Sequence, residues 1–202
     1  MSQVISSNID SEIIIKKKEY MDYIAEHRRN VYTAFQNLFP RIPRSFVVNG
    51  QCIDDIIDSL QVDIGQHDKS KYSDAEFDAY RRKFYPTSIE SKETDEAILK
   101  AVDENFEKAW ENHYMTNDHH PKYWCYWNAN KNFEPKDMNL KAIIHMVCDW
   151  EAMSIKFKGK TIDWWLHKSQ DERKCMTKNT LNKVEELLRI LFDFTEEYNY
   201  DE

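Results

Sequence analysis

Apolar positions recur along this chain at helical spacing. From about Ser11 to Phe39, the residues Tyr20, Ile24, His27, Val31, Phe35 and Leu38 follow steps of four, three, four, four and three. Those steps place them in one stripe of an α-helix, with His27 in the middle of the inward face. Pro40 and Pro43 end that helix. A second helix is predicted over Asp54 to Val62, stopping near Gly65. The polar run Gln66-His67-Asp68-Lys69-Ser70-Lys71 follows. Ser73 and Glu76 match the S-x-x-E capping box and open a third helix reaching about Phe84, closed by Pro86. Ser88 to His113 reads as a fourth, with Ala97, Ala101, Phe106, Ala109 and Trp110 on a looser apolar face.

Pro121 then starts a short aromatic segment through Trp127, and residues 128 to 136 read as a polar loop. Asp137 is placed to cap a helix carrying Leu140, Ile143, Ile144, Val147, Trp150 and Met153, which Gly159 ends. Thr161 to His167 is a short, Trp-rich piece. Thr177 or Asn179 begins the last helix, with Leu181, Val184, Leu187, Leu188, Leu191 and Phe194 at helical spacing. No segment carries a strand pattern. The expected class is therefore all-α, a single-domain helical bundle over residues 1–202, with residues 1–10 a flexible tail.

Composition narrows the function classes. The chain has 202 residues, only three glycines and five prolines, too few turn formers for a sandwich or barrel. Gly50, Gly65 and Gly159 are too scattered to build a phosphate-cradling loop. Asp plus Glu is 36 against 28 Lys plus Arg, a net charge of −8, which argues against extended binding of nucleic acid. No stretch approaches the roughly 20 apolar residues of a membrane span, and the polar start of the chain lacks a signal-peptide apolar region. Cys52, Cys125, Cys148 and Cys175 form no CxxC and read as reduced thiols, two or three of them buried. A cytoplasmic protein is expected, in a host cytoplasm if virus-encoded.

The seven histidines carry the candidate chemistry. His27, the pair His67-Asp68, His113, the pair His119-His120, and Asp149 come from separate helices or helix ends. Helices converging on one point is how bundles build metal sites, and imidazole with carboxylate is the donor set of transition metals. Each piece alone has a bland reading: a hydrogen-bonded core histidine, an exposed loop, or a buried carboxylate paired with Lys or Arg. The order His … His-Asp … His … His-His … Asp is less easily produced by chance than its parts.

That order resembles the HD superfamily of metal-dependent phosphohydrolases, an all-α family with the signature H…HD…D. Residues 67–71, H-D-K-S-K, are similar to the H-D-x-G-K of bacterial cyclic-dinucleotide phosphodiesterases, with Ser70 in place of Gly. The stretches HDKSKYSDAEF (67–77), FEKAWENHYMTNDHHPKYW (106–124), CDWEAMS (148–154) and DWW (163–165) resemble more closely a family common in phage and bacterial genomes, to which no activity is attached. The phosphodiesterase pattern is not complete. His113 and His119 are only six residues apart, Tyr23 stands where an acidic residue would serve a third metal, and the glycine-tyrosine-proline motif is absent.

The resemblance implies an HD-domain-like fold in which His27, His67, Asp68 and Asp149 hold a first divalent metal. Asp68 would bridge to a second, held also by His113 and by His119, His120 or both. Mn, Fe, Co, Ni or Zn suits these donors better than Mg or Ca. Asp68 and Lys71 would carry the catalysis, Lys71 by meeting a substrate phosphate. Arg81, Tyr123 and Trp124 are further substrate-contact candidates; for Lys69, Arg82 and Lys122 a solvated charged face is the better reading. His145, one turn before Asp149, either orients that carboxylate or is a buried histidine bonded to a carbonyl. His167 is read as structural. The leading expectation is hydrolysis of a nucleotide or related small phosphate ester. The same ligands also fit a di-iron centre that activates O₂. A third reading is a non-enzymatic phage accessory protein that binds a nucleotide or a host protein.

Overall fold

The computed structural model describes residues 2–127 and 133–192. The chain is all-α: helices α1 (Ser2–Leu38), α2 (Ile53–Gly65), α3 (Phe77–Phe84), α4 (Glu96–Thr116), α5 (Leu140–Phe157), α6 (Thr161–Lys168), α7 (Gln170–Lys174) and α8 (Lys178–Phe192) account for nearly all the regular structure. Strands β1 (Cys125–Trp127) and β2 (Phe133–Pro135) pair antiparallel, with Tyr126 opposite Glu134. This hairpin was not expected, because three-residue strands are too short to show a period in sequence. Among the described residues no helix is long and apolar enough to cross a membrane.

The residues fall into two compact units. One comprises Met1–Glu26 and Asp68–Asn117, the other His27–His67 and Asp118–Glu202. The first unit has a small aromatic core: Tyr20, Ile24, Tyr80 and Ala109 are buried, with Tyr23, Phe77, Tyr85, Phe106 and Trp110 packed around them. Tyr20 and Tyr80 stack with ring centres 6.3 Å apart, and Phe106 meets Tyr80 edge-on at 5.2 Å. Such ring pairs add about 0.5–1.5 kcal/mol each beyond the area they bury. The second unit holds the larger core, built on α5. From Ala142 to Cys148 every residue of α5 is buried, so this helix is surrounded on all sides. Leu60 and Ile64 of α2, Trp165 of α6 and Val184, Leu187 and Leu188 of α8 belong to the same core.

Several boundaries differ from the sequence expectation, each for a local reason. Helix α1 starts at Ser2 rather than near Ser11; residues 2–10 contain no Gly or Pro, and extending a helix is far easier than nucleating one. Helix α4 begins at Glu96 rather than Ser88, because the Asp95 carboxylate accepts from the backbone N–H of Ala97 and Ile98. Asn139, not Asp137, caps α5, its side chain accepting from Ala142 N–H. Helix α3 starts at Phe77 with no side-chain cap, so Ser73 and Glu76 do not form the expected capping box. At the end of α5 the left-handed residue is Lys158 (φ 54°), one position before the expected Gly159.

Candidate metal centre

In the second unit three ligand-bearing residues converge. His27 comes from the buried stripe of α1, on which Ile24 and Val31, before and after it in sequence, are also buried. His67 follows the end of α2, which Arg28 ties down by donating Nη2–H to the Gly65 carbonyl at 2.7 Å. Asp149 stands on α5. His27 Nε2 lies 3.0 Å from His67 Nε2 and 3.0 Å from Asp149 Oδ1, and His67 Nε2 lies 3.5 Å from the same oxygen. Donor atoms about 2.0–2.2 Å from one ion are separated by about 3.0–3.5 Å along the edges of its coordination polyhedron. The triangle His27–His67–Asp149 thus has the dimensions of a metal-binding face, and these atoms can hold an ion. Burial raises the Asp149 pKa, but hydrogen bonding from His27 and His67 outweighs it and holds the carboxyl well below the ordinary range. Asp149 is therefore ionised at neutral pH, as a ligand must be.

The other face of His67 is also occupied. His67 Nδ1 is 2.9 Å from His145 Nε2. The rings of His67 and His119 are 4.6 Å apart and those of His119 and His145 4.4 Å, and each of the three offers a nitrogen within 4.8 Å of the others. His145, expected to orient Asp149 or to bond a carbonyl, is placed with its Nε2 against His67 Nδ1. Helical spacing put it on the Asp149 face, but the ring reaches the next imidazole. The ring of His120, half-buried, is 4.4 Å from that of His119.

The first unit also contains a polar cluster. Asp68 and His113 are both buried, with His113 Nε2 3.4 Å from Asp68 Oδ1. Lys71 pairs with Asp68 Oδ2 at 2.7 Å. The backbone makes this possible: Asp68 is left-handed (φ 53°, ψ 25°), a conformation Asp tolerates better than most residues. The turn starts the short 3-10 segment Lys69–Tyr72, in which Lys71 N–H donates to the Asp68 carbonyl. Behind His113 stands Glu76, fully buried, its Oε2 2.9 Å from His113 Nδ1. Sequence reading missed Glu76. Its only signal was the helix-start pattern, and the partner is 37 positions away.

The remaining candidates are placed elsewhere. Arg81 is buried, and both its Nη groups donate to Glu90, at 2.5 and 3.0 Å. That fork anchors the turn after α3. Tyr123 is exposed, whereas Trp124 packs against the larger core and donates Nε1–H to the Asp118 carbonyl at 2.7 Å. The indole is thereby engaged in structure. His167 is exposed on α6. Of the four free cysteines, Cys148 and Cys175 are buried and Cys52 and Cys125 half-buried; burial pushes the Cys125 thiol up to about 12, so none of this points to a reactive thiolate.

No curated protein and no solved structure matches this chain. A family model does, over residues 16–190, a span that takes in every residue of both clusters. The chain belongs to that family, DUF5662, a family of unknown function.

Proposed function

We propose that this protein is a metal-dependent phosphohydrolase acting on a nucleotide or related small phosphate ester. The observation that carries the reading is the His27–His67–Asp149 triangle, whose edges of 3.0, 3.0 and 3.5 Å fit one transition-metal ion. The Mn, Fe, Co, Ni or Zn group suits two imidazoles and a carboxylate. His27, His67 and Asp149 would hold a divalent ion, which would supply Lewis-acid activation of water and charge neutralisation at a phosphoryl group. In the other cluster, Asp68 and His113 are the residues assigned to a second ion, in keeping with the H…HD…H…HH…D order. Lys71, paired with Asp68 at 2.7 Å and only 13 % exposed along its side chain, keeps its ammonium at that carboxylate. In this reading Lys71 is a cation that meets an anionic phosphate oxygen.

Elemental analysis of protein purified without chelator, followed by phosphate release from a panel of nucleotides, tests the proposal. The expected result is bound transition metal, metal-dependent release, and loss of release in Asp68→Ala and Asp149→Asn with the fold intact by circular dichroism. Folded protein that takes up no metal, or that is loaded and releases no phosphate from any member of the panel, would overturn it.

A further inference from the structure

The Glu76 carboxylate is fully buried, and burial of an ionised group is costly unless each oxygen is paired. Both are: Oε1 accepts from Asn112 Nδ2 at 2.8 Å and Oε2 faces His113 Nδ1 at 2.9 Å. A carboxylate oxygen accepts, so Nδ1–H is the donor in the contact with Oε2. Two other atoms approach Nδ1, Ser70 Oγ and Asn117 Nδ2, each at 3.3 Å. Asn117 donates along shorter lines, to the His113 carbonyl at 2.7 Å and to Ser70 Oγ at 2.9 Å, so it does not compete for that proton. The ring is held flat against Trp110, with centres 5.6 Å apart and planes at 23°, and meets Tyr80 edge-on. Its orientation is thus set by neighbours on several sides, Glu76 among them. With Nδ1 turned to Glu76, Nε2 is the nitrogen that faces Asp68 Oδ1, at 3.4 Å.

We propose that Glu76 is the positioning residue of this cluster, accepting from His113 Nδ1–H so that Nε2 is the nitrogen presented to a metal ion. The arrangement carboxylate, imidazole, metal is the general device by which proteins aim a histidine ligand and raise its basicity. The assignment of His113 as a ligand rests on the function proposed above; its donation to Glu76 does not.

Two measurements separate these. In metal-free protein labelled with ¹⁵N-histidine, with His113→Gln identifying the signals, His113 is expected with Nδ1 protonated. In Glu76→Gln and in Glu76→Met that pattern is expected to relax toward a mixture of tautomers. In Co²⁺ titrations followed by visible absorption, both variants are expected to bind the second equivalent about 10–100-fold more weakly, the range known for outer partners of ligating histidines, with the first equivalent unchanged. A merely structural Glu76 would change thermal stability without moving the nitrogen signals. His113 with Nδ1 unprotonated in the unsubstituted protein, or unchanged nitrogen signals in folded Glu76→Gln, overturns the inference. If the unsubstituted protein binds no cobalt while Nδ1 is protonated as stated, the ligand role and the hydrolase reading fail and the positioning by Glu76 stands.

Discussion

An imidazole has two nitrogens, and in this protein the functional content lies in which one faces what. His67 uses Nε2 toward His27 and Asp149 and Nδ1 toward His145; His113 uses Nδ1 toward Glu76 and Nε2 toward Asp68. Asp149 is the charged corner of the His27–His67 triangle. Asp149→Asn keeps the shape and removes the charge, and we expect it to weaken the first metal equivalent by more than about 100-fold, beyond the loss usual for outer partners. Isothermal titration with Zn²⁺ or Mn²⁺ reads this directly. Glu90 gives a residue-scale prediction on stability. Burial raises its pKa, but hydrogen bonds from Arg81 and the Thr87 N–H outweigh that and bring it from 4.5 to about 2. A depressed carboxyl contributes stability that is present above pH 4.5 and is lost as pH falls through about 2. Urea midpoints of the unsubstituted protein and Glu90→Gln should therefore differ most at pH 5 and converge toward pH 2. The histidines and Asp149 were legible as candidates because these residue types, in that order, are rare. Glu76 was not, because a carboxylate three residues after a serine reads equally well as a helix start.

At the scale of the element, local chemistry decided where helices begin. Asn139 accepts from Ala142 N–H and fixes the first turn of α5, the helix that carries His145 and Asp149. Asn139→Ala is expected to cost about 1 kcal/mol, read as a lower urea midpoint with an unchanged m-value. The periods along α1, α5 and α8 were visible in sequence because each has a long buried face. Tyr20, Ile24, His27, Val31, Phe35 and Leu38 are indeed all buried on α1. The start of α4 was misjudged, because residues 88–95 contain good helix formers and the stop signal is a single side chain, Asp95, bonding two N–H groups. The β1–β2 hairpin escaped for a different reason: its pairing lies between two segments, in neither of which three residues make a pattern.

For the whole molecule, the second unit's core around α5 is the main store of stability. Ile143 is fully buried there, and Ile143→Ala is expected to cost about 2–5 kcal/mol through lost transfer energy and the cavity left behind, measured by chemical denaturation. A metal bound to the folded chain alone adds to stability by mass action, about 2.7 kcal/mol at one hundred times its dissociation constant, so chelator should lower the melting temperature of metal-loaded protein and leave that of Asp149→Asn little changed. The sequence by itself determined the helical class, the long helices and the small set of side chains able to ligate metal, because periodicity and residue type are local properties that follow from the backbone repeat. Only the tertiary structure decided which nitrogen meets which oxygen, that Arg81 serves Glu90, that His145 serves His67, and that Glu76 stands behind His113. Those pairings join residues far apart in the chain, such as His27 with Asp149 and His67 with His145, and no local preference encodes them: burial favours a partner for each polar atom, and the packed elements settle which partners are within reach.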